Sequence, residues 1–148
     1  MSQVVVNAEK IISAPAEQVS RALADYEAVR PRILPEQFSE YRVESGGHGP
    51  GTVVHWRFAA TSKRVRDQLL DVTEPALGTL VETDRNSSMV TTWTVLPEGT
   101  GGATVKVRTT WDGAGGIGGF FERTFAPKGL ARIHDALLEK LEHAVSAG

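Results

Sequence analysis

The sequence predicts an α+β domain in which a curved antiparallel sheet is wrapped on one long C-terminal helix. Three observations carry this. Apolar residues alternate with polar ones in six segments between residues 38 and 112, joined by short turn-rich links. A Val- and Ile-rich run over 3–13 precedes two short helical stretches. After Gly113–Gly119 the period becomes 3.6, placing Leu130, Ile133, Leu137, Leu141 and Val145 on one stripe. The order is β-α-α-β6-α, and the last helix is the element long enough to cover one face of the sheet.

Size and composition agree with a single domain over 1–148. A chain of 148 residues buries roughly two-thirds of its unfolded surface, enough for a core and a cavity. Sixteen basic against eighteen acidic residues give a net charge of −2, which argues against a dedicated nucleic-acid binder. Without cysteine there is no disulfide framework, thiol nucleophile or thiolate metal site. No basic leader and no apolar run of ~18 residues is visible, so the expectation is a cytoplasmic protein without membrane insertion.

The elements follow in order. Pro15 suits the first turn of a helix and Glu17 its positive end, with Val19, Ala22, Leu23 and Tyr26 at helical spacing over about 15–25. Pro31 and Pro35 leave one further helical turn around 27–33. Strands are predicted at 38–45, 52–59, 64–73, 77–84, 89–96 and 103–112, the third stopped by Glu74-Pro75. The final helix starts near Ile117, with a kink or break at Pro127 and Gly129.

Several local stretches resemble the START-like superfamily, also called SRPBCC or polyketide cyclase/dehydrase-like, which shares the helix-grip fold of the birch-pollen allergen. They are Ile12-Ser13-Ala14-Pro15-Ala16-Glu17-Gln18-Val19 leading to Leu23-Ala24-Asp25-Tyr26, Gly49-Pro50-Gly51-Thr52-Val53, Leu70-Asp71-Val72-Thr73-Glu74-Pro75, and the terminal helix. The resemblance implies a cavity between sheet and helix for lipids, sterols, polyketides or aromatic metabolites. A fold with so many uses does not specify one.

Alternation sorts the strand residues into faces. Tyr41 goes with Val43; Val54, Trp56 and Phe58 form a set; so do Trp93 with Val95, and Val107, Thr109 and Trp111. The strand at 64–73 is ambiguous, because Val65, Asp67 and Leu69 compete with Arg66, Gln68 and Leu70. The apolar face is either a packed core or a cavity wall. Three tryptophans on it, with Phe120, Phe121 and Phe125 nearby, favour a wall, and much of that preference is what the resemblance implies. The expected ligand-contacting set is therefore Tyr41, Val54, Trp56, Phe58, Leu69, Trp93, Val95, Val107, Thr109, Trp111, Phe121 and Phe125.

Arg30 and Arg32 flank Pro31 near the expected cavity mouth. Each could pair with a surface acid such as Glu27 or Glu36, or bind an anionic head group through a two-point guanidinium contact. Gly113-Ala114-Gly115-Gly116-Ile117-Gly118 matches a dinucleotide fingerprint, but an antiparallel meander supplies no βαβ unit for it. Gly116, Gly118 and Gly119 read as a hinge at the mouth, or as a plain linker.

The histidines form no metal pattern, and no cofactor is implied. His134 sits at the edge of the helical stripe, where it reads first as a satisfied, partly buried residue. Asp67, Tyr41 and His134 are the weak candidates for acid or base chemistry. The leading expectation is a carrier of a hydrophobic small molecule such as a lipid or polyketide-like compound. A polyketide cyclase/aromatase-like enzyme and a protein-interaction module are the alternatives.

Overall fold

The computed structural model describes residues 3–61, 64–112 and 127–147. Its elements are β1 (Gln3–Ile12), α1 (Ala16–Leu23), α2 (Arg30–Ile33), β2 (Phe38–Ser45), β3 (Val53–Thr61), β4 (Arg64–Ala76), β5 (Thr79–Asp84), β6 (Val90–Glu98), β7 (Gly102–Asp112) and α3 (Pro127–Ala147). The strands form one antiparallel sheet in the order β1-β7-β6-β5-β4-β3-β2. This is the β-α-α-β6-α helix-grip arrangement. The Gly113–Gly119 hinge, Phe121 and Phe125 lie outside the described residues, as does a helical start near Ile117. Among the described residues no helix is long and apolar enough to cross a membrane.

Period-two patterning sets the inner face on β3, β6 and β7. Val54, Trp56 and Phe58 are buried, as are Trp93, Val95, Val105, Val107 and Trp111. On α3, Leu130, Ile133, Leu137, Leu141 and Val145 are buried with Leu138, so the helix presents its apolar stripe to the sheet. A half-exposed Lys10–Glu142 pair at 3.5 Å ties β1 to α3. Gln18 Nε2 donates to the Val145 carbonyl at 3.0 Å and ties α1 to the far end of α3.

Two strands run further than their prolines suggest. β4 continues through Pro75 to Ala76, with a register shift between Thr73 and Ala76 that accommodates a residue lacking a donor. β6 includes Pro97, opposite Ala103 beside the hairpin end. The glycine-rich link after β2 folds back on α1: Tyr26 N–H donates to the Gly47 carbonyl at 2.9 Å, and Gly49 N–H to that of Ala24 at 2.9 Å. Gly46 requires its glycine, because φ is +73° and a Cβ would lie 2.8 Å from the Thr52 Cα.

Candidate functional site

Between the inner face of the sheet and α3 lies a cavity with about 40 Å³ of room for water centres. Its apolar wall comes from Phe38, Trp56, Phe58 and Trp93, with Leu34 and Met89 beside them and Leu130 and Leu137 of α3 opposite. Phe38 meets Trp56 edge-on at 5.5 Å and packs on Phe58 at 5.0 Å, so three rings form one cluster. The polar part of the wall is Arg30, Glu82, Gln68, Thr91, Thr109 and His134.

Register explains why these polar groups meet. Val72, Glu82, Thr91, Thr109 and Val6 are successive cross-strand partners on β4, β5, β6, β7 and β1. Glu82 is thereby placed in line with the two threonines. α2 then brings Arg30 over it. Arg30 Nη2 lies 2.7 Å from Glu82 Oε2, with the two side chains 2% and 3% exposed. Arg30 Nη1 donates to the Leu23 carbonyl at 3.0 Å, and its guanidinium lies 4.5 Å from the Tyr26 ring centre and 5.2 Å from that of Trp93. Tyr26 Oη donates to Glu82 Oε2 at 2.5 Å, and Trp93 Nε1 to Glu82 Oε1 at 3.1 Å.

The charges are therefore matched inside the fold. Burial alone would lower the Arg30 pKa; Glu82, with Tyr26 and Tyr41, more than offsets it, so the guanidinium stays protonated. Burial, reinforced by the Glu82 charge against the partial relief from Arg30, holds the Tyr26 hydroxyl well above its ordinary value. Tyr41 is shifted in the same direction, again chiefly by burial.

On the α3 side, His134 Nε2 and Thr109 Oγ1 share a 2.8 Å hydrogen bond, and Thr109 Oγ1 shares another at 2.9 Å with Thr91. His134 Nδ1 is buried without a hydrogen-bond partner among the described residues. Burial lowers the His134 pKa to about 4, only partly countered by Glu82, so the ring is neutral near pH 7. Toward β3, Trp56 Nε1 donates to Gln68 Oε1 at 2.8 Å, and Gln68 Nε2 donates to Met89 Sδ at 3.3 Å and Asp84 Oδ2 at 3.4 Å.

Of the residues singled out in the sequence, Trp56, Phe58, Trp93, Thr109, His134 and Arg30 line this cavity. Val54, Val95, Val107 and Trp111 share its face but lie in the packed core around it. Tyr41 stacks on Trp56 at 6.2 Å and donates to the Tyr26 carbonyl at 2.5 Å, behind the wall rather than on it.

Three expectations are corrected. Asp67 and Leu69 point to the outer face, because the set containing Gln68 and Leu70 faces inward, where Gln68 satisfies the Trp56 indole. Asp67 is exposed, 3.1 Å from His55 Nε2, and takes no part in the cavity. Arg30 pairs with neither a surface acid nor an open mouth, but with buried Glu82. Arg32 is exposed and donates its Nε to the Ala28 carbonyl at 2.8 Å, away from the wall.

Glu82 escaped the sequence reading because it is a polar residue sharing parity with apolar Leu80, and Gln68 because its set, with Arg66 and Leu70, is no more apolar than the competing one. The sharing of parity between Leu80 and Glu82 was the available signal. Among the described residues no cluster of three metal-ligating side chains occurs.

Comparison with known proteins gives a consistent placement. Residues 3–146 match the sequence profile of the family described as polyketide cyclase/dehydrase and lipid transport. The chain is 49% identical to the KanY protein, whose solution structure superposes with a TM-score of 0.89 over 99% of each chain. A Thermus thermophilus protein is 24% identical, with a TM-score of 0.77 over 97% of this chain and 98% of its own. The Zhui aromatase/cyclase from Streptomyces is 14% identical, with a TM-score of 0.75 over 98% and 94%. The last two show a shared fold alone. No curated protein matches.

Proposed function

Because the chain belongs to the polyketide cyclase/dehydrase and lipid transport family, we propose that it binds a small, largely apolar molecule between the sheet and α3. The observation that carries this reading is the composition of the cavity wall. Four aromatic rings line a space into which a few polar groups converge, the usual make-up of a small-molecule site. Non-catalytic carriage is favoured because Glu82 already accepts from Arg30, Tyr26 and Trp93.

About 40 Å³ holds only about three waters, so a ligand must push the wall outward. Met89, with its unbranched thioether, and Leu34 are the parts of the wall best able to yield. Burying about 200 Å² of apolar ligand surface contributes roughly 5 kcal/mol, at ~25 cal/mol per Å². Part of that is offset by lost motional freedom.

One observation favours a second reading, a cyclase-like enzyme: His134 presents a neutral imidazole with an unpartnered Nδ1 at the cavity. Turnover of a cyclisable polyketide that vanishes in His134→Gln while binding persists would establish it.

The test of the first reading is a panel of neutral aromatic and lipid compounds. A bound compound alters tryptophan fluorescence and raises the melting temperature together, since it binds the folded state alone. A panel that moves neither rejects the reading.

A further inference from the structure

We propose that the buried Arg30–Glu82 pair makes this cavity select uncharged ligands and reject carboxylates. The proposal deepens the binding reading above and rests on it. A carboxylate leaving water needs a counter-charge or several donors in the site that receives it. Among the described residues that line the cavity, Arg30 and His134 are the two groups able to carry positive charge.

Neither offers an unneutralised positive charge to a ligand anion. Arg30 gives Nη2 to Glu82 at 2.7 Å and Nη1 to the Leu23 carbonyl at 3.0 Å, with Tyr26 and Trp93 rings beside the guanidinium. Its buried Nε has no partner among the described residues. The N–H groups left over can meet a carbonyl or hydroxyl, but the guanidinium charge is already neutralised by Glu82 at 2.7 Å, so a second carboxylate finds no free counter-charge there. His134 is neutral near pH 7 because burial disfavours its charged form. An entering anion would also face the Glu82 carboxylate, to which Tyr26 and Trp93 already donate.

Uncharged polar groups fare differently. The Thr91 and Thr109 hydroxyls, the Gln68 amide and the His134 ring all stand on the wall and can exchange hydrogen bonds with a hydroxyl, ester or ketone. The ligand class that fits is a neutral aromatic bearing such a group. A free fatty or aromatic acid does not fit.

The experiment compares three probes of one shape at pH 7.5: 2-naphthol, methyl 2-naphthoate and 2-naphthoate. Binding of naphthol is followed by tryptophan fluorescence, and the other two are measured by their displacement of it. The ester is expected to compete within ~10-fold of naphthol, and naphthoate at least ~30-fold more weakly, an uncompensated buried charge being the cause. In Glu82→Gln, which frees the Arg30 charge, naphthoate should gain ~10-fold or more relative to the ester.

Naphthoate competing with wild-type protein as well as the ester does would overturn the selectivity and leave cavity binding standing. Failure of all three probes to bind wild-type protein would remove the binding reading, and the selectivity with it. If Glu82→Gln does not fold, the wild-type comparison decides alone. If it folds and naphthoate gains nothing, the assignment of selectivity to this pair is wrong.

Discussion

His134 Nε2 on α3 and Thr109 Oγ1 on β7 lie 2.8 Å apart, fastening the long helix to an inner strand of the sheet with a neutral imidazole. The same bond closes the cavity on its helix side, since both residues line it. The fold thus commits His134 to one protonation state across the physiological range.

Stability should therefore depend on pH in a defined window. The folded His134 pKa is about 4 against 6.5 for the free group. From pH 6.5 downward the unfolded chain takes up a proton that the folded one does not. The contribution is present in full above pH 6.5, falls as pH drops, and levels off below 4, at a total loss of roughly 3 kcal/mol. His134→Gln removes that slope. Urea denaturation of both proteins at intervals from pH 7.5 to 4 measures the difference.

Breaking the Arg30–Glu82 pair on one side should destabilise strongly. Arg30→Met leaves Glu82 buried with its donors reduced to Tyr26 and Trp93, at a cost of about 3–5 kcal/mol. Arg30→Met with Glu82→Leu should recover much of that loss, because no charge is then left without its partner. A double-mutant cycle in guanidinium chloride measures the coupling. Additive losses would mean that the two charges do not depend on each other.

The apolar stripe of α3 should dominate the stability map. Leu141 is 0% exposed, and Leu141→Ala is expected to cost about 2–5 kcal/mol through lost contacts and the cavity left behind. Leu77, at the β4–β5 turn, is 99% exposed, so Leu77→Ala should stay within about 0.5 kcal/mol of the parent. Denaturation midpoints with an unchanged slope check both.

The three indoles should report differently on a ligand. Trp56 and Trp93 line the cavity, whereas Trp111 lies in the core beside it. Trp56→Phe should shrink the fluorescence response to a bound neutral aromatic, while Trp111→Phe should leave most of it. The reverse pattern would place the ligand elsewhere.

The faces of β3, β6 and β7 were legible in the sequence because aromatic and branched residues alternate strictly with polar ones there. β4 was not, because Leu69 and Leu70 weigh equally in the two parity sets. The choice is made by partners distant in sequence, as when Gln68 receives the Trp56 indole proton. Glu82 was hidden for a related reason. A carboxylate in a strand reads as solvated until α2 brings Arg30 onto it, and no local pattern reports that approach. Pro75 misleads by one step: it reads as a stop, yet β4 passes through it at a register shift where the ladder tolerates a missing donor. The helical stripe carried the cavity's other wall, with Leu138 added to it.

β1 has its partner in β7, with register from Gln3 opposite Asp112 to Ile12 opposite Ala103. On a ribosome that pairing has a temporal meaning. β1 leaves the exit tunnel before β7 and then waits, at ~5–20 residues per second, until β7 has been made. The hairpins of β2 to β6 can close one by one in the meantime, but β1 joins the sheet as its edge only once β7 has been made. Such sequence-distant closure is the slow kind. A half-made chain therefore presents an unzipped Val-rich strand for seconds, and nascent-chain chaperones have that interval in which to hold it.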